Sequence, residues 1–86
     1  MEKPYSSIMR EGDTEQESDF SGLLCPLPVL KARKRLEGMA TGEVLKIIAT
    51  DPMSVVDMAH FCNQQGHTLL EQSREAEGFI FRIRRG

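Results

Sequence analysis

The stretch Asp19-Phe20-Ser21-Gly22-Leu23-Leu24-Cys25-Pro26-Leu27-Pro28 compresses a strand, a break and a helix start into one short run. Around Asp19-Phe20-Ser21 the pattern suits a short strand, and Gly22 interrupts it. Pro26 and Pro28 fall where a first helical turn accepts them, because the amide hydrogens that proline lacks have no intrahelical partner there. A helix is therefore expected from Cys25 or just after it. Val29, Ala32, Leu36 and Met39 recur at spacings of three and four as an inward stripe, with Lys31, Lys34 and Arg35 lying off it. Gly38 to Gly42 should end that helix.

Outward from this run the period changes. Leu45, Ile47 and Ala49 alternate with Val44, Lys46 and Ile48, which predicts a strand from about Glu43 to Thr50. Asp51-Pro52 is a helix-start signal, and Val55, Ala59 and Cys62 supply an apolar stripe for a second helix ending near Gly66. Met39, Met53 and Met58 read as core fillers. Thr68 to Ser73 and Phe79 to Arg84 read as strands joined by a polar turn around Glu75 to Gly78, with Phe79, Phe81 and Ile83 pointing one way. The order is βαβαββ, an α/β (α+β) arrangement with a four-stranded mixed sheet and two helices on one face. If the first two strands are parallel, with a right-handed crossover, both helices begin at one sheet edge and Cys25 neighbours the Asp51-Pro52 turn. The uncovered face of the sheet is then a candidate partner surface.

Eighty-six residues hold one domain at most. An apolar share of 40% beside 28% charged residues excludes collagenous, membrane and wholly disordered chains. A net charge of −2 supplies no overall field for DNA or anionic membrane, so any nucleic-acid role must rest on a local patch. Residues 1–18 carry five acids, two bases and only Met1, Tyr5, Ile8 and Met9 as apolar groups. They are expected to form a flexible acidic tail ahead of a domain at 19–86, with a few residues before Asp19 extending the first strand. Two cysteines and no basic, apolar leader at Met1-Glu2-Lys3-Pro4 point to a reducing cytoplasm rather than a secreted disulfide scaffold. Leu23 to Leu30, the longest nearly unbroken apolar stretch, falls far short of the roughly 20 residues that span a bilayer.

Cys25 is the sharpest chemical feature. A helix amino terminus presents unpaired amides and the positive end of the macrodipole, which can lower a cysteine pKa from about 8.5 to ~3.5–7.5. The same setting favours a persulfide anion, so an exposed Cys25 can accept, hold and donate a sulfur atom. The motif alone does not choose among persulfide, disulfide and sulfenate chemistry, and a buried, inert Cys25 in Leu23-Leu24-Cys25 is the plain alternative. Cys62 belongs to the inward stripe of the second helix. Its distance of roughly 16 Å along that helix disfavours a Cys25–Cys62 disulfide, and His67 at the far edge is poorly placed to pair with Cys25. His60 reads as a surface histidine, and Cys25, His60, Cys62 and His67 lack the paired spacing of a zinc site. Lys31-Ala32-Arg33-Lys34-Arg35 and the trio Arg82, Arg84 and Arg85 are either solvated charges or a docking patch for an acidic protein or phosphate backbone. No aromatic residues interleave with them to stack on bases.

Together these residues resemble the signature of the TusA/SirA sulfur-carrier family: an acid at Asp19, then Gly22-Leu23, then Cys25-Pro26-Leu27-Pro28, followed by Lys31. The likeness continues through Gly42-Glu43, Thr50-Asp51-Pro52, Asp57, Phe61-Cys62 and Gly66-His67 to Phe81 and Ile83, covering about 19–86. It implies a two-layer sandwich and a cytoplasmic sulfur carrier, formally a sulfurtransferase rather than a turnover enzyme in isolation. A cysteine desulfurase or another donor protein would place a persulfide on Cys25, and a downstream acceptor protein would take it, for tRNA 2-thiouridine or another sulfur relay. Carried over by position, Cys25 is the persulfide carrier, Pro26 and Pro28 stiffen its turn, and Lys31, Asp51 and Asp57 are site-edge or docking residues. No metal or organic cofactor is expected beyond the transient persulfide, nor a membrane partner or direct nucleic-acid contact. The sequence departs from the family in Ser18 and in a longer acidic tail. A redox-regulated interaction protein and an RNA-binding module are the competing functions, the latter by fold analogy alone.

Overall fold

In the computed structural model, which describes residues 15–76 and 78–86, six elements follow in the expected order. They are β1 (Glu15–Phe20), α1 (Leu27–Glu37), β2 (Val44–Ala49), α2 (Met53–Gln65), β3 (Thr68–Glu75) and β4 (Gly78–Arg84). The sheet runs β1-β2-β4-β3, with β1 parallel to β2 and the other pairings antiparallel. Alternation along β2 sets the layers: Leu45, Ile47 and Ala49 are fully buried, while Val44, Lys46 and Ile48 lie half-buried on the other face. Ala32 and Leu36 of α1 and Met58, Phe61 and Cys62 of α2 close over the buried face, joining Phe20, Phe81 and Ile83 in one core. Among the described residues no helix is long and apolar enough to cross a membrane.

The expected extension of the first strand before Asp19 covers residues 15–18, which pair with Val44–Ile47; the rest of the expected tail, 1–14, lies outside the described residues. The outward side chains of this extension are acids, held by ion pairs from Lys46 to Glu17 at 3.8 Å and from Arg82 to Glu15 at 3.3 Å. Two expectations move. The inward stripe of α2 is Ser54, Met58, Phe61 and Cys62, with Val55 half-buried and Ala59 exposed. Rotating the helix by about 100° per residue separates these two stripes. Met53, read as a core filler, is 52% exposed on the first turn, whereas Met39 and Met58 are buried. α1 starts at Leu27, two residues beyond Cys25.

The turn between β1 and α1 needs Gly22 at φ +84°, where Leu23 N–H donates to the Phe20 carbonyl at 3.1 Å. Parallel pairing of β1 and β2 delivers this turn and the start of α2 to one sheet edge, and side chains lock them together. Gly22 N–H donates to Thr50 Oγ1 at 2.9 Å. Asp51 Oδ2 accepts the Cys25 amide at 2.7 Å while its Oδ1 accepts the amide of Met53, the first residue of α2, at 3.1 Å. Replacing Asp51 by alanine should therefore cost about 1–2 kcal/mol of stability, since two amides lose a charged acceptor at a half-exposed site. Asp51→Asn, which keeps one acceptor oxygen, should cost less. Urea titration reads both values, and an Asp51→Ala midpoint equal to the parent would refute the clamp.

Candidate functional site

Cys25 is a free, exposed thiol on the loop that leads into α1, whereas Cys62 is free and buried. The Cys25–Pro26 peptide is cis. A groove of about 260 Å³ runs from Cys25 between the helices. Pro26, Val29, Leu30 and Arg33 form one wall, and Asp57, His60, Phe61, Gln64 and Gln65 form the other. Each wall is a helical stripe at spacings of three and four, so the packing of α1 on α2 produces the groove.

The sulfur does not sit in the anion-stabilising environment expected from the sequence. Pro26 and Pro28 contribute no amide hydrogens at the mouth of α1, and the Leu27 amide donates to the Leu24 carbonyl at 2.8 Å. The macrodipole thus has few donors to aim at Cys25. Carboxylates stand there instead. The carboxylate of Asp57, with partial loss of water and the charge of Asp51, pushes the thiol above its ordinary range. The expected depression is overturned: the resting group is a thiol. Cys62 is pushed up to about 11 by burial and is inert.

Of the residues that the sequence assigned to the site, Cys25, Pro26 and Asp57 line the groove, and Asp51 holds the Cys25 backbone. Pro28 is fully buried beneath the turn. Lys31 is not brought in; it lies with Lys34 and Arg35 beside Phe20 on the other flank of α1. Arg33, His60 and Gln64 were missed, although Asp57, His60, Phe61 and Gln64 have the spacing of one helix face. His67 is tied elsewhere, its Nδ1 accepting the Gly86 amide at 2.9 Å, and burial and the nearby Arg85 charge lower its pKa. Among the described residues no group of three or more His, Cys, Asp or Glu side chains is placed to hold a metal ion.

The carboxyl-terminal arginines do not form one patch. Arg82 pairs with Glu15 and Glu71 on the open sheet face. Arg85 turns away, its Nε donating to the Leu36 carbonyl at 2.7 Å and its amide to Glu43 at 2.9 Å. The site is instead ringed by exposed apolar side chains. Of the six large hydrophobics exposed among the described residues, Leu24, Leu27 and Leu30 lie next to Cys25 or on the first turns of α1, and Met53 and Val56 lie on the first turn of α2. Only Leu70, at the bulge in β3, lies elsewhere. Such clustering marks a surface that another protein covers.

Comparison with known proteins agrees with this geometry. The family model described as Sulfurtransferase TusA matches residues 16–85. A sulfur carrier protein TusA from Allochromatium vinosum is 49% identical over 73 residues, covering 85% of this chain and 96% of that protein. A sulfur carrier protein TusA from Pseudomonas putida is 43% identical over 67 residues, covering 78% and 84%. A putative sulfur carrier protein from Neisseria meningitidis is 47% identical over 57 residues, covering 66% and 77%. With its Cys-Pro-Leu-Pro turn at the mouth of the inter-helix groove, the chain belongs to the TusA sulfurtransferase family and has the role of a sulfur carrier.

Proposed function

We propose that Cys25 carries the sulfur as a persulfide, taking it from a cysteine desulfurase or similar donor protein and giving it to an acceptor protein. The observation that carries this reading is a single exposed thiol inside a collar of exposed apolar side chains, with the other cysteine buried. An enclosed pocket would suit a small substrate, but a sulfur on an open rim suits exchange between two proteins. On loading, the Cys25 sulfur bonds to the outer sulfur of the donor persulfide, the donor S–S bond breaks, and its electron pair leaves on the donor cysteine. On unloading the roles reverse. The cycle needs no resident metal or organic group, and in this reading it runs in the cytoplasm.

The pathway fits tRNA 2-thiouridine modification or another sulfur relay, with the nucleic acid handled by a later protein. The open sheet face supports that division, because two of its bases are matched by acids, Lys46 by Glu17 and Arg82 by Glu15 and Glu71. A redox switch is less well supported, since a thiol held in its protonated form is a slow target for oxidants.

Incubation with a cysteine desulfurase and cysteine should add one sulfur atom to the chain by mass spectrometry. The gain should persist in Cys62→Ser and vanish in Cys25→Ser; sulfur retained without Cys25 would reject the carrier assignment. Separately, Val56→Glu or Leu30→Glu should slow sulfur transfer from the desulfurase about tenfold by placing a charge in the docking rim. Transfer at the parental rate in both would show that the collar is not the docking surface.

A further inference from the structure

The loop that carries Cys25 makes mostly local hydrogen bonds. The Ser21 amide and hydroxyl donate to Asp19 Oδ1 at 2.9 and 2.6 Å, the Leu23 amide to the Phe20 carbonyl at 3.1 Å, and the Leu27 amide to the Leu24 carbonyl at 2.8 Å. Such bonds shape the loop without fixing it to the rest of the molecule. Among the described residues two bonds do fix it: the Gly22 amide donates to Thr50 Oγ1 at 2.9 Å, and the Cys25 amide to Asp51 Oδ2 at 2.7 Å. Both acceptors are consecutive residues between β2 and α2, just ahead of the helical turn that carries Met53 and Val56 of the collar. Asp51 divides its carboxylate between Cys25 and Met53, whereas the Thr50 hydroxyl serves the loop alone. The γ-methyl of Thr50 faces the start of β4, where a Cβ at Gly78 would stand 3.3 Å from it. With that methyl seated, a β-branched side chain holds its hydroxyl toward Gly22.

Building on the carrier reading, we propose that Thr50 is a positioning residue for sulfur transfer: it hooks the Cys25 loop to the start of α2, so that the sulfur keeps a fixed aim relative to the collar on which the donor docks. In the transfer step the bond from Cys25 Sγ to the outer sulfur forms as the donor S–S bond breaks, and the electron pair leaves on the donor cysteine, with no net oxidation. Thr50 takes part in neither bond. Its contribution is orientation, where a misplacement of about 1 Å can cost on the order of a hundredfold in rate. Without the Thr50 acceptor the loop keeps one anchor, the Asp51 bond, and can pivot on it, while the apolar side chains that receive the donor stay where they are.

The test is single-turnover transfer from a persulfidated cysteine desulfurase to the chain, in a Cys62→Ser background, followed as a function of desulfurase concentration. Thr50→Val keeps the shape and the γ-methyl but has no acceptor. It should lower the limiting rate about fivefold, the scale of one hydrogen bond, and leave the half-saturating concentration unchanged. Thr50→Ser, which keeps the oxygen, should recover most of the rate. Amide hydrogen exchange, which needs no donor, should run about fivefold faster at Cys25 in Thr50→Val, with Leu45 and Ile47 of β2 at parental rates; a general loss of stability would move all three. A parental limiting rate in Thr50→Val would overturn the positioning role, as would a rise in half-saturating concentration alone or a serine variant as slow as the valine one. If the parent itself takes up no sulfur, the carrier reading falls, and exchange at Cys25 still decides the hook: a parental rate in Thr50→Val removes it.

Discussion

One carboxylate fixes where the reactive sulfur stands. Asp51 binds the amides of Cys25 and Met53 with its two oxygens, joining the entrances of both helices across a gap in sequence of more than two dozen residues. Parallel pairing of β1 with β2 makes that link possible, because it brings the two strand ends to the same edge. Everything chemical in the molecule follows from it: the cysteine loop is held open to solvent, α2 is started in a defined rotation, and the groove between the helices opens at the sulfur. The clamp also has an electrostatic consequence. It sets a negative charge close to Cys25, and the rotation it gives α2 brings Asp57 into the groove that Cys25 lines. The device that positions the sulfur therefore also opposes its ionisation.

That opposition would be smaller if the helix start were an ordinary one. A first turn with free amides offers several donors to an anion, and its dipole acts through them. Here two of the three residues from Pro26 to Pro28 have no amide hydrogen, and the third donates to Leu24. The prolines shape and stiffen the turn at the expense of its anion-binding capacity. Backbone rigidity and thiolate stabilisation, which the sequence invites one to treat together, are opposing demands at this site.

The elements, their order and the position of Cys25 at the shared edge were legible because each rests on local rules: alternation in β2, three-and-four spacing in α1, and proline and aspartate at helix starts. Residues whose placement depends on rotation or on partners from another element were not. Lys31 and Arg33 are two positions apart on α1, so they occupy different faces, and only Arg33 reaches the groove. Ala59 is as apolar in sequence as Met58, but the helix phase buries only the latter. Glu15 and Glu17 look like tail residues until Arg82 and Lys46 from other strands meet them. The raised thiol was invisible for the same reason: Cys25 and Asp57 lie on different elements, and they share one groove only after α1 and α2 have packed.

A raised thiol and an exposed one are compatible in a carrier once the surroundings of transfer are considered. In free solution the protonated sulfur is open to any electrophile but reacts slowly with all of them, since the thiolate is the nucleophile. Docking changes the balance without requiring any change in the chain. In the proposed complex the exposed Leu24, Leu27, Leu30, Met53 and Val56 would be covered, water would be displaced from the rim, and the donor's sulfur would be held against Cys25 at an effective concentration that diffusion cannot supply. Proximity then compensates for a low thiolate population. On that proposal selectivity resides in the collar rather than in the acidity of the cysteine, and it follows that an open site with no enclosing pocket can still discriminate among its reaction partners.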